Sequence, residues 1–138
     1  MLKKAGAKKK LTRQEVRDLD IEIGFMEGVV QRDPRFVQAL QILGDDYTRR
    51  GKLDDGLKID ERLSRLRPRD PMVLYNLACS YALTKRLEEA VAALSRAIDR
   101  GYHDFRWLMK DPDLANLRKH SLFKRIRAKV RSSKIKVQ

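Results

Sequence analysis

An all-α solenoid is the fold this sequence predicts, on three observations. Residues 37–70 and 71–104 are two copies of one 34-residue unit. Leu40, Leu43, Gly44 and Tyr47 recur as Leu74, Leu77, Ala78 and Tyr81. Leu53, Gly56, Leu57 and Leu63 recur as Leu87, Ala90, Val91 and Ala97. A fixed period of this length marks a supersecondary unit whose apolar face is buried by its neighbour. The second observation is that apolar residues recur at helical spacing while β-branched runs are missing, which predicts helices and no strands. The third is the scarcity of Gly and Pro, which leaves little room for long loops.

The first helix has a complete start signal. Thr12 and Glu15 can form a capping box, with Leu11 and Val16 placed for a hydrophobic staple. Val16, Leu19, Ile23, Met26 and Val30 then form one stripe. Pro34 stands where Pro68 stands in the next unit, so this helix reads as the second helix of a unit whose first is missing. Asp33-Pro34 is expected to restart a helix, with Asp as N-cap and Pro at the first helical position, and Asp70-Pro71 to repeat the device. Gly51 supplies the turn inside the first unit, Lys85-Arg86 the turn inside the second, and Gly101 stops the helix ending at Arg100. After residue 104 the pattern decays. Phe105 to Lys110 begins a third unit that Asp111-Pro112 cuts short, a segment Leu114 to Arg118 follows, and Ser121 is expected to cap a last helix with Leu122, Phe123, Ile126 and Val130 on one face. Trp107, Leu108, Leu114, Leu117 and Phe123 are the expected seal of the solenoid's end.

A chain of 138 residues makes one domain, able to bury about 70% of its unfolded surface. The net charge of +13 sits at the two ends. Residues 1–10 carry five Lys and residues 118–138 nine Lys or Arg, with no acid in either stretch. Removing these fourteen bases from 32 leaves 18 against 19 acids in residues 11–117, a near-neutral body. The expected organisation is a basic disordered tail at 1–10, a repeat domain at 11–131 with a degenerate cap at 105–131, and a basic tail at 132–138. No apolar run approaches the ~18 residues that span a bilayer. The basic start leads into no apolar segment of a secretory signal. The single Cys79 permits no internal disulfide, so a reducing, cytoplasmic setting is expected.

The matched spacings resemble the tetratricopeptide (TPR) repeat. They read Leu40-x2-Leu43-Gly44-x2-Tyr47 and Leu74-x2-Leu77-Ala78-x2-Tyr81, with Ala90-x3-Leu94 and Pro68. The resemblance implies a right-handed solenoid of helix-turn-helix units that holds a peptide or helix of another protein, without chemistry of its own. In that family the first helices line a concave groove. Its ligand positions fall here on Gln38, Gln41, Asp45 and Arg49 in the first unit. In the second they fall on Met72, Tyr75, Asn76, Cys79 and Leu83, and in the truncated third on Arg106 and Lys110. One branch clamps a C-terminal carboxylate with bases and asparagines; Asn76, Arg106 and Lys110 match it, whereas Gln41 and Asp45 do not, and Asp45 would repel a carboxylate. Asp60 stands where the family has a bulky residue, so either the first unit packs loosely there or Asp60 meets a basic partner.

Nothing in the residues points to an enzyme, a cofactor or a metal. His103 and His120 lack neighbouring ligands at metal spacing, and Cys79 has no candidate base at fixed spacing. The acid pairs Asp45-Asp46, Asp54-Asp55 and Glu88-Glu89 read as solvated or helix-dipole partners. Two further readings concern partners. Lys8-Lys9-Lys10 and the Lys124–Arg131 stretch could bind nucleic acid or an anionic membrane without regard to sequence, or simply confer solubility. Ile21 and Phe25 lie on the face of the first helix opposite its stripe, with Gly24 and Gly28 beside them. They form either an association surface, such as a homodimer contact, or a face wrapped by the chain itself.

Overall fold

The computed structural model describes residues 10–137. Most of the expected basic segment 1–10 therefore lies outside the described residues, as does Gln138. Among those described, the secondary structure is helical and contains no strand, and neighbouring helices pack pairwise into an all-α repeat solenoid. Helix α1 is Arg13–Arg32, α2 Val37–Arg49, α3 Leu53–Leu66, α4 Pro71–Leu83 and α5 Leu87–Asp99. Two single turns, α6 (Phe105–Leu108) and α7 (Ala115–Arg118), flank a 3-10 turn at Pro112–Leu114, and α8 is Phe123–Val137. Thus α2 and α3 form one unit, α4 and α5 the next, and α1 stands as a lone second helix.

Local chemistry sets most boundaries as the residues predict. The Thr12–Glu15 capping box is made, with Glu15 N–H donating to Thr12 Oγ1 at 3.1 Å and Thr12 N–H to Glu15 Oε1 at 3.1 Å. Asp70 caps α4 by accepting from the amides of Met72 and Val73, and Pro71 occupies the first position. Asp33-Pro34 does otherwise. Asp33 ends α1, its carboxylate accepts from Arg35 N–H at 3.3 Å, and α2 begins only at Val37. The repeat register explains this, because Pro34 is equivalent to Pro68 in the interhelix turn and Phe36 to Asp70. Gly51, Lys85 and Gly101 all have left-handed backbone, at φ +85°, +66° and +110°. Lys85 thus adopts the conformation that Gly51 supplies at the same register position. Helix α8 begins at Phe123, its first amides bonding to the carbonyls of His120 and Ser121, and runs past the residue-131 boundary expected for the cap.

The core is divided into two interlocked clusters. Ile23, Val30, Leu40, Leu43, Ile59 and Leu63 form the first, which also takes Val73 from the next unit. The second runs from Leu57 and Leu74 through Leu94 to Leu108, Leu114, Leu117, Phe123 and Ile126. Helix α4 is apolar on nearly all sides because α3, α5 and the segment after Asp111 all cover it. Close approach of α2 and α3 depends on glycine. A Cβ on Gly44 would lie 3.1 Å from Asp60 Oδ1 and 3.2 Å from Ile59 Cγ2, and one on Gly56 would lie 3.0 Å from Thr48 Oγ1.

Candidate interaction site

The first helices of the two units, α2 and α4, carry the expected ligand positions, and the structure divides these residues into three groups. Gln38 is exposed, and Gln41, Asp45 and Arg49 are half-buried along α2. On α4, Met72, Asn76 and Leu83 are half-buried. Arg106 and Lys110 are exposed around the single turn α6. Tyr75 and Cys79 do not line a groove. They are 3% and 0% exposed, covered by the cap. The Tyr75 ring stacks on Tyr102 with centroids 4.2 Å apart, its hydroxyl donates to Asp111 Oδ2 at 2.6 Å, and Cys79 Sγ lies 3.7 Å from the same oxygen. Truncation of the third unit after one turn lets the chain fold back onto α4, which closes that part of the expected surface.

Asn76 is the distinctive polar residue of what remains open. Its Oδ1 is buried and has no hydrogen-bond partner among the described residues. An unmatched buried carbonyl costs about 1–3 kcal/mol.

A second set of contacts repeats with the 34-residue period. Tyr47 donates to Glu27, and Tyr81 to Glu61 at 3.0 Å, each reaching twenty residues back to the preceding second helix. Burial, reinforced by the acceptor carboxylates, pushes both phenol pKa values upward. Beside each pair lies a cleft in the same register. One is about 380 Å³, floored by Leu43 and Tyr47 with Ile59 and Arg62 as walls. The other is about 240 Å³, floored by Leu77 and Tyr81 with Ala93 and Arg96. The repeat therefore duplicates surface as well as core.

The chain is similar to pieces of much longer proteins. It is 32% identical over 100 residues to a protein of Arabidopsis thaliana whose name marks it as chloroplastic, a match covering 70% of this chain and 28% of that one. It is 36% identical over 90 residues to the peroxisomal targeting signal receptors of Komagataella phaffii and Komagataella pastoris, covering 64% of this chain and 16% of theirs. No family profile matches the chain. No helix among the described residues is long and apolar enough to cross a membrane.

Three buried acids have roles beyond those expected from the sequence. Asp60 does not pack loosely; it is 3% exposed and accepts from Ser80 Oγ on α4, tying the two units together. Asp111 interrupts the third unit and also fastens it. Besides Tyr75 and Cys79, its carboxylate accepts from Asp113 N–H at 3.0 Å, and Arg118 donates to the carbonyls of Asp111 and Leu108. Cys79, Asp111 and Asp113 place ligand atoms within 4.8 Å of one another, and within that group the Asp111 carboxylate is engaged by the three donors just named. Asp46 takes the register position of Ser80 and is 2% exposed. Burial, then a hydrogen bond with Glu22 and the nearby charges of Glu22 and Asp45, pushes its pKa up to about 8, with Arg49 opposing. The signal for Asp60 was available in the sequence, since Asp60 and Ser80 are twenty residues apart like the two Glu–Tyr pairs.

Proposed function

We propose that this chain is a tetratricopeptide-type interaction module, without catalysis of its own, that holds an extended segment of another protein along α2 and α4. The open surface comprises Gln38, Gln41, Asp45 and Arg49 beside Met72, Asn76 and Leu83. The observation that carries this reading is the run of half-buried polar and apolar side chains, Gln41, Asp45, Met72 and Asn76, that α2 and α4 leave partly open, because an extended peptide needs such a mixed surface along successive first helices. The similarity to targeting signal receptors, whose name describes recognition of a signal carried by other proteins, supports the same class of function. The C-terminal carboxylate clamp is not the favoured ligand mode, since Asp45 stands where an anion would enter. A cytoplasmic setting belongs to the same proposal, with the chloroplast of the first relative's name as the competing compartment, and imaging of the tagged chain decides between them.

The test is selection of peptides from a random display library, followed by amide chemical-shift mapping. Shifts concentrated on Gln41, Asp45, Met72 and Asn76, with about tenfold weaker binding by Asn76→Ala, support the reading. Selected peptides that shift only α8 or α1 residues overturn it.

A second reading rests on α8, where Lys124, Arg125, Arg127 and Arg131 are exposed and no acid occurs from residue 118 onward. Such a helix suits sequence-blind attraction to nucleic acid or an anionic membrane. Its duplex affinity would fall with salt by a log–log slope near −0.9 per phosphate contacted. Absence of binding at low salt removes it.

A further inference from the structure

The open end of the solenoid is built like a unit with one helix missing. In the first unit, Gly56, Ile59 and Asp60 of α3 face α2, which is why a Cβ on Gly44 would meet Ile59 and Asp60 and one on Gly56 would meet Thr48. Ile59 is consequently 7% exposed, and its equivalent Ala93 in α5 is 3% exposed. The residues of α1 in the same register are Glu22, Phe25 and Met26. Among the described residues no first helix stands over them, and Phe25 is 67% and Ile21 72% exposed. The intramolecular wrapping considered for Phe25 is therefore not adopted among the described residues.

Two further features of this end are unexplained by internal packing. Gly24 and Gly28 interrupt α1, yet a Cβ on either would meet nothing within 4 Å. Mid-helix glycine costs about 1 kcal/mol relative to alanine, and here no close contact within the chain requires it. Sharing Glu22 with that register, a cleft of about 170 Å³ between α1 and α2 is lined by Glu15, Asp18, Leu19 and Glu22, with Arg49 as its single base. The vacant seat thus joins an apolar knob to a carboxylate-rich cleft.

We propose that this face receives a basic amphipathic helix of a partner protein, lying in the seat of the missing first helix with apolar side chains on Phe25 and cations in the Glu15–Asp18–Glu22 cleft. Charge decides the occupant. A second copy presenting this face offers the same carboxylate-rich cleft, with Arg49 as its single base, and so complements the charge less well than a basic helix. The basic helix α8 of a second copy offers bases, but its apolar Phe123, Ile126 and Val130 are already buried at home. Residues 1–10 supply five Lys and no helical apolar stripe.

The probe is a synthetic helix of about 18 residues, long enough to be helical in water, with Leu along one face and Lys on both flanks, and a control in which every Lys is Glu. Fluorescence anisotropy against the full chain should show the Lys helix binding, the Glu helix failing, and affinity falling with added salt. Phe25→Lys and Glu22→Lys should each weaken binding about tenfold, while Phe25→Lys keeps the parent's thermal melt and Asn76→Ala keeps its affinity for the helix. Equal binding of Lys and Glu helices, or parent-like binding by Phe25→Lys, overturns the proposal. So does a parent that sediments as a dimer dissolved by Phe25→Lys, which makes a second copy the occupant. Binding that emerges only after residues 1–10 are deleted also overturns it, assigning the face to the chain's own basic segment.

Discussion

The two ends of this solenoid face the same physical problem and answer it differently. At the C-terminal end, Leu108, Leu114, Leu117, Phe123 and Ile126 are at most 1% exposed, because a broken third unit folds across α4 and α5 and leaves polar residues outside. At the N-terminal end, α1 buries Leu19, Ile23 and Val30 against α2 but leaves Ile21 and Phe25 in solvent. A stack of helical units always ends in a face its own repeat would bury. Sealing that face serves stability, whereas the open face leaves Ile21 and Phe25 in solvent.

The largest test of this contrast compares one residue type at both ends. Phe123→Ala should cost about 3–5 kcal/mol, the range for emptying a packed aromatic site, whereas Phe25→Ala should stay within about 0.5 kcal/mol as a surface change. Denaturant melts of both variants measure it, and a comparable loss at Phe25 would mean that the open end is buried after all.

Buried acids sharpen the comparison. Asp111→Ala strands the Tyr75 hydroxyl in the core and should cost about 1–3 kcal/mol at any pH near neutral. Asp46 behaves in the opposite sense. Its folded pKa, about 8, lies above the ordinary carboxylate value of 3.8. Between those values the folded chain holds a proton that the unfolded chain has released, so the contribution of Asp46 to stability falls as pH rises and levels off above about 8. Asp46→Asn should therefore match the parent near pH 4 and gain on it progressively toward pH 8, where the difference levels off. Melts across that range showing a constant difference would place the proton elsewhere.

Glycines give a third pair. Gly44→Leu forces side-chain atoms between α2 and α3 and should cost about 1–3 kcal/mol, while Gly28→Leu meets open space and should gain up to about 1 kcal/mol of helix propensity. If Gly28→Leu also weakens binding of the basic helix probe, its cost was retained for the partner. The smallest effects belong to the exposed ion pairs, Asp20–Arg50 at 2.8 Å on the open end and Asp99–Lys129 at 2.7 Å on the sealed one. Asp20→Asn and Asp99→Asn should each cost about 0.2–1 kcal/mol, fading as salt is raised. A larger, salt-resistant loss at Asp99 would show that the pair, and not only the apolar residues, holds α8 down.

Much of this protein was determined along the chain itself. The 34-residue period, the capping box at Thr12 and Glu15, the Asp70-Pro71 start of α4 and the left-handed turn positions depend on contacts within a few residues or on a register that repeats, so local chemistry suffices to place them. The apolar residues of the cap were legible for the same reason, since their spacing identifies a buried face before its partner is known. What only the tertiary structure decided was which neighbour each face meets. Tyr75 and Cys79 hold ligand positions in the register, yet they are buried because Asp111, more than thirty residues away, folds back onto α4. Asp46 looks like a solvated acid in sequence and Asp60 like a misfit at a bulky position, and both are buried because of the helices opposite them. Phe25 has the register of a core residue and stays exposed because no first helix among the described residues stands over it. Burial is a property of two surfaces, and the sequence of one helix specifies only its own.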